Sequence, residues 1–358
     1  MRLGAIVVIG DEDEILPQKT VGRTPPAGPE TGATLGEPLG CIDVIGCSAA
    51  ERMIERFLNA EVEIVSVLMD ARKSCPIPRF RSSSRKVTVQ VVTDVASSLT
   101  EKLRDYSQSG IEHSFVASAD LYAETDLLDL FYFHRESRQA LTRAFDQDGL
   151  LALSVMDCTK APQYPHDHWL EESSRDKALY FVRGYVNRLI HPRDLRRLAS
   201  DILCGSCDKR PSGREISPRV WVEESADVHR NARIVGPAYV GGGSKVSDNV
   251  LITRLSSVER DCYIDCGTVI EGSSILSNTH IGIWLDVCHA VVRGNKLWSL
   301  NRDVMVEISD PRIMRPATAT RAVSATTSDQ REAQQTVAKL DKRMHPVLGN
   351  SALNLIQD

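Results

Sequence analysis

The most regular feature of the hydrophobic pattern is a six-residue period in the second half of the chain. From Val222 to Ile270 a branched aliphatic residue returns at every sixth position. The series is Val222, Val228, Ile234, Val240, Val246, Ile252, Val258, Ile264 and Ile270. Small or β-branched residues, such as Ala226 and Ser244, follow four positions after each of them. A fixed six-residue repeat predicts one short strand and one turn per repeat, with three repeats closing a triangular coil.

The period shortens by one residue before Ile275 and then continues through Ile281 and Val287. We interpret this shift as a deletion at one corner that leaves the stack of coils intact. The repeats predict a left-handed parallel β-helix over residues 220–312, including a cap over its open end. A β-sandwich is the alternative, but its strands would alternate with period two and have irregular loops.

The first half alternates aliphatic runs with amphipathic stretches, which is typical of an α/β domain with a mainly parallel, Rossmann-like sheet. We assign residues 1–205 to this domain. The predicted strands are Leu3–Ile9, Val62–Met69, Val87–Thr93 and His113–Ser118, and the predicted helices are Ala49–Asn59, Ser98–Ser107 and Asp126–Ser137. A Ser or Thr cap is expected at the start of the second helix.

The segments around the two domains are predicted from composition. Residues 206–219 form a connector, and residues 313–358 form a flexible tail rich in Ala, Thr and Ser at its start. Trp284, Trp298 and the strand-like residues 304–308 are expected to cap the solenoid, because a stack of coils exposes an apolar cross-section.

Charge and cysteine content exclude several classes of protein. A net charge of -5 disfavours a nucleic-acid partner, since binding to phosphate backbones requires clustered Lys and Arg. No apolar run reaches the roughly 18 residues of a membrane span. The nine scattered cysteines are typical of reduced thiols, so a cytoplasmic location is expected. Cys204 and Cys207 form a lone CxxC pair, which we interpret as two ordinary thiols.

Two segments of the first half resemble sugar-phosphate nucleotidyltransferases. The run Leu35-Gly-Glu-Pro-Leu-Gly-Cys-Ile-Asp, followed by a helix and a strand, is similar to the Gly-Lys-Pro-Leu-like turn of that family. Phe115-Val-Ala-Ser-Ala-Asp is similar to its strand ending in a metal-binding aspartate, which places Asp120 at the Mg²⁺ position. Together with the β-helix, the chain resembles the mannose-1-phosphate guanylyltransferase or glucose-1-phosphate nucleotidyltransferase type.

The chain departs from that family where the nucleotide would bind. Active members follow the first strand with Gly-x-Gly-Thr-Arg, whose backbone amides and arginine hold the triphosphate. Here Gly10 precedes four acidic residues at positions 11–14, which would repel a polyphosphate. The family's Pro-Lys pair and its Gly-Thr-Ala turn are also missing. Lys19 and Arg23 could replace the lost positive charge only if the loop brings them to Gly10.

Three functional hypotheses follow from this resemblance. The first is a protein of exopolysaccharide precursor synthesis that is degenerate in NTP binding and acts as a regulatory or scaffolding subunit. The second is an active, divergent enzyme that makes a nucleotide sugar with Mg²⁺. The third is a hexapeptide-repeat acyltransferase with His280 as general base. A sugar phosphate or nucleotide sugar is the expected ligand, and the expected assembly is a homo-oligomer or a complex with an active paralogue.

Overall fold

The computed structural model describes residues 2–10, 35, 37–73, 86–163 and 177–317. Across these ranges, no helix is long and apolar enough to cross a membrane. The α/β fold and the following region of parallel strands, both predicted from the sequence pattern, are confirmed.

A seven-stranded sheet forms the centre of the first domain. Its strands lie in the order β10-β8-β9-β6-β1-β4-β5. The strands are β1 (Leu3–Ile9), β4 (Ile64–Asp70), β5 (Val87–Val92), β6 (His113–Ser118), β8 (Leu141–Asp146), β9 (Gly149–Asp157) and β10 (Lys177–Phe181). Only β9 is antiparallel to its neighbours, β6 and β8. The central strand β1 is buried along its whole length, as a strand covered on both faces must be.

Three helices cover the two faces of this sheet. They are α1 (Ala49–Asn59), α2 (Val95–Gln108) and α3 (Leu127–Ser137). Ser48 and Glu51 form a capping box at the start of α1, and α1 packs with α3 on one face. Helix α2 covers the other face. The predicted start of α2 at Ser98 is wrong, because the Asp94 carboxylate accepts the Ser97 N–H and begins the helix at Val95.

Two small β-ribbons and a fourth helix connect the sheet to the second domain. A one-turn 3₁₀ helix (Leu39–Cys41) leads into the hairpin β2 (Asp43–Val44) and β3 (Cys47–Ser48), and β7 (Leu121–Ala123) pairs with β11 (Val186–Arg188). Helix α4 (Pro192–Cys204) was not predicted from the sequence. Pro192 at its first turn and Gly205 in the left-handed conformation at its end mark its bounds.

The second domain is a three-sided parallel β-helix, here called the solenoid. Side one contains β13 (Val220–Val222), β16 (Ala238–Val240), β19 (Ser257–Val258), β22 (Ser274–Ile275) and β25 (Ala290–Arg293). Side two contains β14 (Asp227–Val228), β17 (Lys245–Val246), β20 (Tyr263–Ile264) and β23 (Thr279–Ile281). Side three contains β15 (Arg233–Ile234), β18 (Leu251–Thr253), β21 (Val269–Glu271) and β24 (Asp286–Cys288). The repeating aliphatic residues fill the interior, as predicted.

The strand register confirms the deletion before Ile275 and reveals a second one. Val240 pairs with Val258 in the next coil, so that coil has 18 residues. Val258 pairs with Ile275, and Ile275 with Val292, so each of these coils has 17. Both deletions lie at the corner between sides three and one. The shortening therefore recurs at one corner of the stack, while the strands of all three sides stay paired in register.

Antiparallel strands close the C-terminal end of the solenoid. The strands β26 (Lys296–Ser299) and β27 (Val304–Glu307) extend side one, and β28 (Met314–Pro316) extends side two. Met314 is buried in the solenoid core. Because β28 pairs with β23, the paired part of the chain reaches Pro316, beyond the predicted start of the tail at residue 313. On the opposite end, β12 (Arg214–Ser217) pairs with β13, within the predicted connector.

The tryptophans do not form the predicted cap. Trp284 lies at a coil corner with a positive φ of 54° and is 64% exposed, so it covers no apolar end. Trp298 packs beside Val291 in the cluster between the two domains. Ile308, from the predicted cap segment 304–308, does pack on the interior core at this end, together with Met314 and the partly buried Leu297.

A buried histidine makes the stability of the first domain dependent on pH. His134 in α3 is 1% exposed, its Nδ1 lies 2.8 Å from Thr142 Oγ1, and burial lowers its pKa to about 4. The unfolded chain binds this proton near pH 6.5, so stability is full above that pH and falls as the pH drops toward 4.

We predict that the free energy of unfolding falls between pH 7 and pH 4 by roughly 3 kcal/mol less in His134→Asn than in the wild type. Asn can keep the contact with Thr142 but cannot titrate. Chemical denaturation at several pH values measures the slope. The same substitution at His229, whose side chain is 43% exposed, is the control. Equal slopes for the wild type and His134→Asn would contradict the assignment.

Candidate functional site

The carboxyl ends of three neighbouring strands define the candidate site of the α/β domain. Strands β6, β1 and β4 are adjacent and parallel, so their ends meet at one edge of the sheet. Gly10 follows β1, Asp70 ends β4, and Asp120 follows β6. Ligands of open α/β sheets bind outside the carboxyl ends of their strands. The predicted site residues Gly10 and Asp120 thus lie at the edge where such a site belongs.

The turn that resembles the family's Gly-Lys-Pro-Leu segment packs directly on Asp120. The Gly40 N–H donates to Asp120 Oδ1, and a Cβ at Gly40 would overlap the backbone carbonyl of Ala119. Only glycine permits so close an approach of two backbones. The Ser118 hydroxyl oxygen also accepts the Asp120 N–H at 2.9 Å. The carboxylate at the predicted metal position is therefore already a hydrogen-bond acceptor within the protein.

A second carboxylate at this edge is neutralised by its own arginine. The Asp70 side chain is fully buried, and both of its oxygens accept hydrogen bonds from the Arg72 guanidinium at 2.7 to 3.0 Å. This hydrogen bonding lowers the pKa of Asp70. A Cβ at Gly10 would clash with Asp70, so β1 and β4 are also tightly packed where they end. Arg72 thus pairs with a carboxylate of the protein.

The hairpin after this turn inserts into the solenoid and ends on a buried carboxylate. Glu259 is 0% exposed. The Ile45 and Gly46 N–H groups donate to Glu259 Oε1 at 2.8 Å and Oε2 at 2.9 Å. Burial raises the pKa of Glu259 to about 7, although the two N–H groups act in the opposite direction. One solenoid side chain therefore holds the tip of the hairpin through both of its oxygens.

Ion pairs on either side of Glu259 extend this contact between the domains. Asp43 Oδ2 accepts hydrogen bonds from Arg260 Nε at 2.8 Å and from the Ser277 hydroxyl at 3.1 Å. Arg293 pairs with Glu37 of the turn at 2.5 Å and donates to the Leu35 carbonyl. These contacts fix the turn and the hairpin against one side of the solenoid.

An apolar cluster fills the space behind these polar contacts. It joins buried residues of the hairpin and α4 to buried residues of side one. Its central members are Leu39, Val44, Ile45, Leu195, Leu198, Ile202, Tyr239, Leu276 and Val291. Arg196 of α4 also reaches the solenoid, where its Nε donates to the Gly272 carbonyl at 2.9 Å. The edge of the sheet and the solenoid therefore form one packed unit.

The other predicted site residues are Lys19, Arg23 and His280. Lys19, Arg23 and the acidic residues 11–14 lie outside the described residues. His280, the base of the acyltransferase hypothesis, lies on side two of the solenoid, where its Nε2 is 2.7 Å from Asp265 Oδ2. His280 is 7% exposed, in a strand flanked by β20 and β28, which leaves little access for an acyl donor.

The donor set does not form a magnesium site by itself. Throughout the described residues, no group of three His, Cys, Asp or Glu side chains could hold a metal ion. Mg²⁺ bound through one or two carboxylates usually relies on substrate phosphates for further ligands. Asp120 would then be a partial ligand at most, and only together with a bound nucleotide.

Sequence reasoning did not identify Glu259 or the hairpin as parts of the site. Glu259 follows an interior aliphatic residue of the repeat, at a position where the neighbouring coils carry Gly241 and Leu276. A charge at that position is ordinary for a solvated surface, so only the packing of the hairpin reveals its role. The full column reads Glu223, Gly241, Glu259, Leu276 and Arg293, so charged residues recur in it and Glu259 did not stand out in the sequence.

The fold and the site define a class: an α/β domain with a candidate site at the carboxyl ends of its central parallel strands, joined to a parallel β-helix. No protein-family model matches the chain. Among curated proteins, it is similar to the glucose-1-phosphate thymidylyltransferase of Streptomyces griseus, with 29% identity over 117 residues. The match covers 32% of this chain and 32% of that protein, so the chain spans about a third of its relative's length in the match. This similarity supports a relationship to the sugar-phosphate nucleotidyltransferases.

We predict that Glu259→Gln removes a pH dependence opposite in sign to that of His134. A carboxyl whose folded pKa is about 7 stabilises the fold fully below pH 4.5, and this contribution is lost as the pH rises through 7. The change amounts to roughly 3 kcal/mol. Gln has the shape of Glu259 and does not titrate, but its NH₂ group replaces one of the two acceptors, so the comparison is of the pH slopes and not of absolute stabilities. Denaturation at pH 5 and pH 8 measures the difference, with the exposed Glu101→Gln as control. The assignment would be contradicted if the free energy of unfolding of Glu259→Gln changed between pH 5 and pH 8 as much as that of the wild type.

Proposed function

We propose that this chain is a nucleotidyltransferase-like protein of sugar-nucleotide supply that is degenerate in NTP binding and acts as a regulatory or scaffolding subunit. The process we assign is the synthesis of precursors for exopolysaccharide in the cytoplasm. Its ligand would be a sugar phosphate or nucleotide sugar. The similarity to a glucose-1-phosphate thymidylyltransferase supports the chemical class of this ligand.

The observation that carries the proposal is the state of Asp120. Its carboxylate accepts the Gly40 N–H, while Arg72 at the same edge is bound to Asp70. Four acidic residues also follow Gly10 in the sequence, where the resembling family carries glycines and an arginine. A triphosphate needs fixed N–H donors and cations, since its charge must be neutralised for binding. The described edge offers carboxylates and a paired guanidinium instead.

The interface between the domains supports a regulatory role. The turn on Asp120 is followed directly by the hairpin held by Glu259, so a ligand at the sheet edge and a partner on the solenoid would act on one packed unit. In an assembly with an active paralogue, this connection would transmit the effect of ligand binding at the sheet edge to the partner on the solenoid. Allosteric coupling requires such an element with contacts to both sites.

The alternative is an active, divergent enzyme. In that reaction the phosphate oxygen of a sugar 1-phosphate attacks the α-phosphate of an NTP, and pyrophosphate leaves. Lys19 and Arg23 would supply the missing positive charge. Catalysis would then depend mainly on the positioning of the two substrates and on charge neutralisation.

We predict that the purified full chain releases no pyrophosphate above background with glucose 1-phosphate or mannose 1-phosphate, any of dTTP, UTP, GTP or ATP, and Mg²⁺. Calorimetric titrations should likewise show no NTP binding tighter than about millimolar. The Streptomyces griseus enzyme, assayed in parallel, is the positive control. Steady pyrophosphate release would contradict the degenerate assignment and favour the active alternative.

A pair of substitutions at Asp120 distinguishes a structural carboxylate from a metal ligand. Asp120→Asn keeps an oxygen for the Gly40 N–H, whereas Asp120→Ala leaves that donor without its acceptor. We expect Asp120→Ala to lower the free energy of unfolding by about 1–3 kcal/mol and Asp120→Asn to lower it much less. Thermal and chemical denaturation measure both. The structural role would be contradicted if Mg²⁺ and NTP together stabilised the wild-type chain and if both variants lost that stabilisation equally.

A further inference from the structure

An exposed tryptophan occupies one corner of the solenoid, between sides two and three. In successive coils this corner is formed by residues 230–231, 248–249, 266–267 and 283–284. Trp284 is 64% exposed and has a positive φ of 54°, at the position where the two preceding coils carry Asn249 and Gly267. Asn and Gly tolerate this left-handed backbone far better than a bulky aromatic residue does. The geometry of the turn therefore does not explain the tryptophan.

The indole ring of Trp284 lies flat against the preceding coil. A Cβ at Gly267 would lie 2.6, 2.6 and 2.9 Å from the indole atoms Cδ2, Cε3 and Cε2. One point can be almost equally distant from these three bonded atoms, at such a range, only if it lies above the ring and not at its edge. One face of the indole thus covers the Gly267 backbone, and the opposite face is open to solvent. Within the described residues, the indole N–H donates to no protein acceptor.

Polar side chains continue from the indole along the same corner. Asn249 lies one coil before Gly267, and its Nδ2 donates to Asp248 Oδ2 at 3.0 Å. The other carboxylate oxygen of Asp248 lies 3.2 Å from His229 Nδ1. Neighbouring coils are about 4.8 Å apart. A row of mutually bonded polar groups therefore begins one coil away from the glycine that the ring covers.

The charged groups around the indole disfavour an anionic ligand. Asp286 follows the tryptophan by two residues and is exposed, and Asp265 lies in the preceding coil. The Arg312 guanidinium, in the segment beside side two, is bound to both oxygens of Asp310. Arg230 belongs to the same corner but lies three coils away. A phosphate group at the ring would meet carboxylates, which like-charge repulsion opposes.

We propose that this corner binds a chain of neutral hexoses, with one pyranose ring stacked on Trp284. The C–H groups on one face of a pyranose carry a small positive charge, and the face of an indole ring is negative. The hydroxyl groups around the pyranose both donate and accept hydrogen bonds, as the indole N–H and the Asn249 amide require. The corner is open and touches a ligand from one side, so a single sugar would gain little contact there. An extended oligosaccharide can continue from the indole onto the polar row.

Two other ligand types fit this corner less well. A quaternary ammonium group is recognised by a cage of several aromatic rings, and the sequence has no second aromatic residue at the corner positions. A protein partner requires a broad interface of roughly 20–30 residues on each side, whereas the apolar side chains exposed at the corner positions are Trp284 and Ile283. The corner is separate from the sheet edge, so the proposal does not depend on nucleotide binding.

Titration of the full chain with neutral hexasaccharides tests the proposal. The probes are maltohexaose, cellohexaose and mannohexaose, and saturation-transfer NMR measures their dissociation constants. We expect at least one to bind with a dissociation constant of about millimolar or tighter, and Trp284→Asn to weaken that binding about tenfold or more. Asn already occupies this corner position at Asn249, so Trp284→Asn should fold with a melting temperature no lower than that of the wild type.

A second variant tests the polar row and leaves the tryptophan in place. Asn249→Gly removes the amide and suits the positive φ of 54° at that position, so it should weaken binding while the chain stays folded. Tyr132→Asn is the control, because it removes a 47% exposed aromatic ring from α3 in the other domain and should leave binding unchanged.

The proposal would be overturned if none of the three hexasaccharides bound to the wild type. It would also be overturned if Trp284→Asn or Tyr132→Asn gave the opposite of the expected result, that is, unchanged binding in the first or lost binding in the second. GMP and tetramethylammonium are titrated in parallel. Binding of either one that depends on Trp284, without hexasaccharide binding, would assign the corner to a nucleobase or to a cation instead.

Discussion

The carboxylate of Glu259 is the contact on which the union of the two domains depends. It is fully buried in the solenoid wall and accepts one N–H group at each oxygen from the tip of a hairpin in the other domain. Ile45 and Gly46 both have positive φ, 53° and 78°, which the hairpin turn requires in order to aim both N–H groups at one acceptor. This conformation costs a β-branched residue free energy, and the surrounding contacts maintain it.

This contact determines how the candidate site can behave. The 3₁₀ turn on Asp120 and the hairpin on Glu259 are consecutive, with only Ile42 between Cys41 and Asp43. The turn cannot shift without disturbing the hairpin. The hairpin cannot shift without breaking the two hydrogen bonds that its N–H groups donate to the buried Glu259 carboxylate. Loss of such buried contacts is costly, because the groups left behind are unsatisfied. The sheet edge is thus held in one arrangement by the solenoid.

The sequence predicted those parts of the structure that repeat or are local. The six-residue period fixed the coils, since each repeat needs only its neighbours, and the strand Leu3–Ile9 and the helix Ala49–Asn59 match their predicted bounds. The second deletion, before Val292, lies beyond Val287, where the predicted series ends. The partners of Asp120 and Glu259 could not be predicted, because each partner is remote in sequence and is brought there by packing.

Hydrogen exchange of the Ile45 and Gly46 amides is the most direct test of this account. If Glu259 holds the two domains together, both amides should exchange only through opening of the whole interface, at rates like those of the buried β1 amides, and Glu259→Ala should accelerate both. The amide of the exposed Gln147 in the β8–β9 turn is the fast reference. Rates for Ile45 and Gly46 as fast as that reference in the wild type would contradict the account.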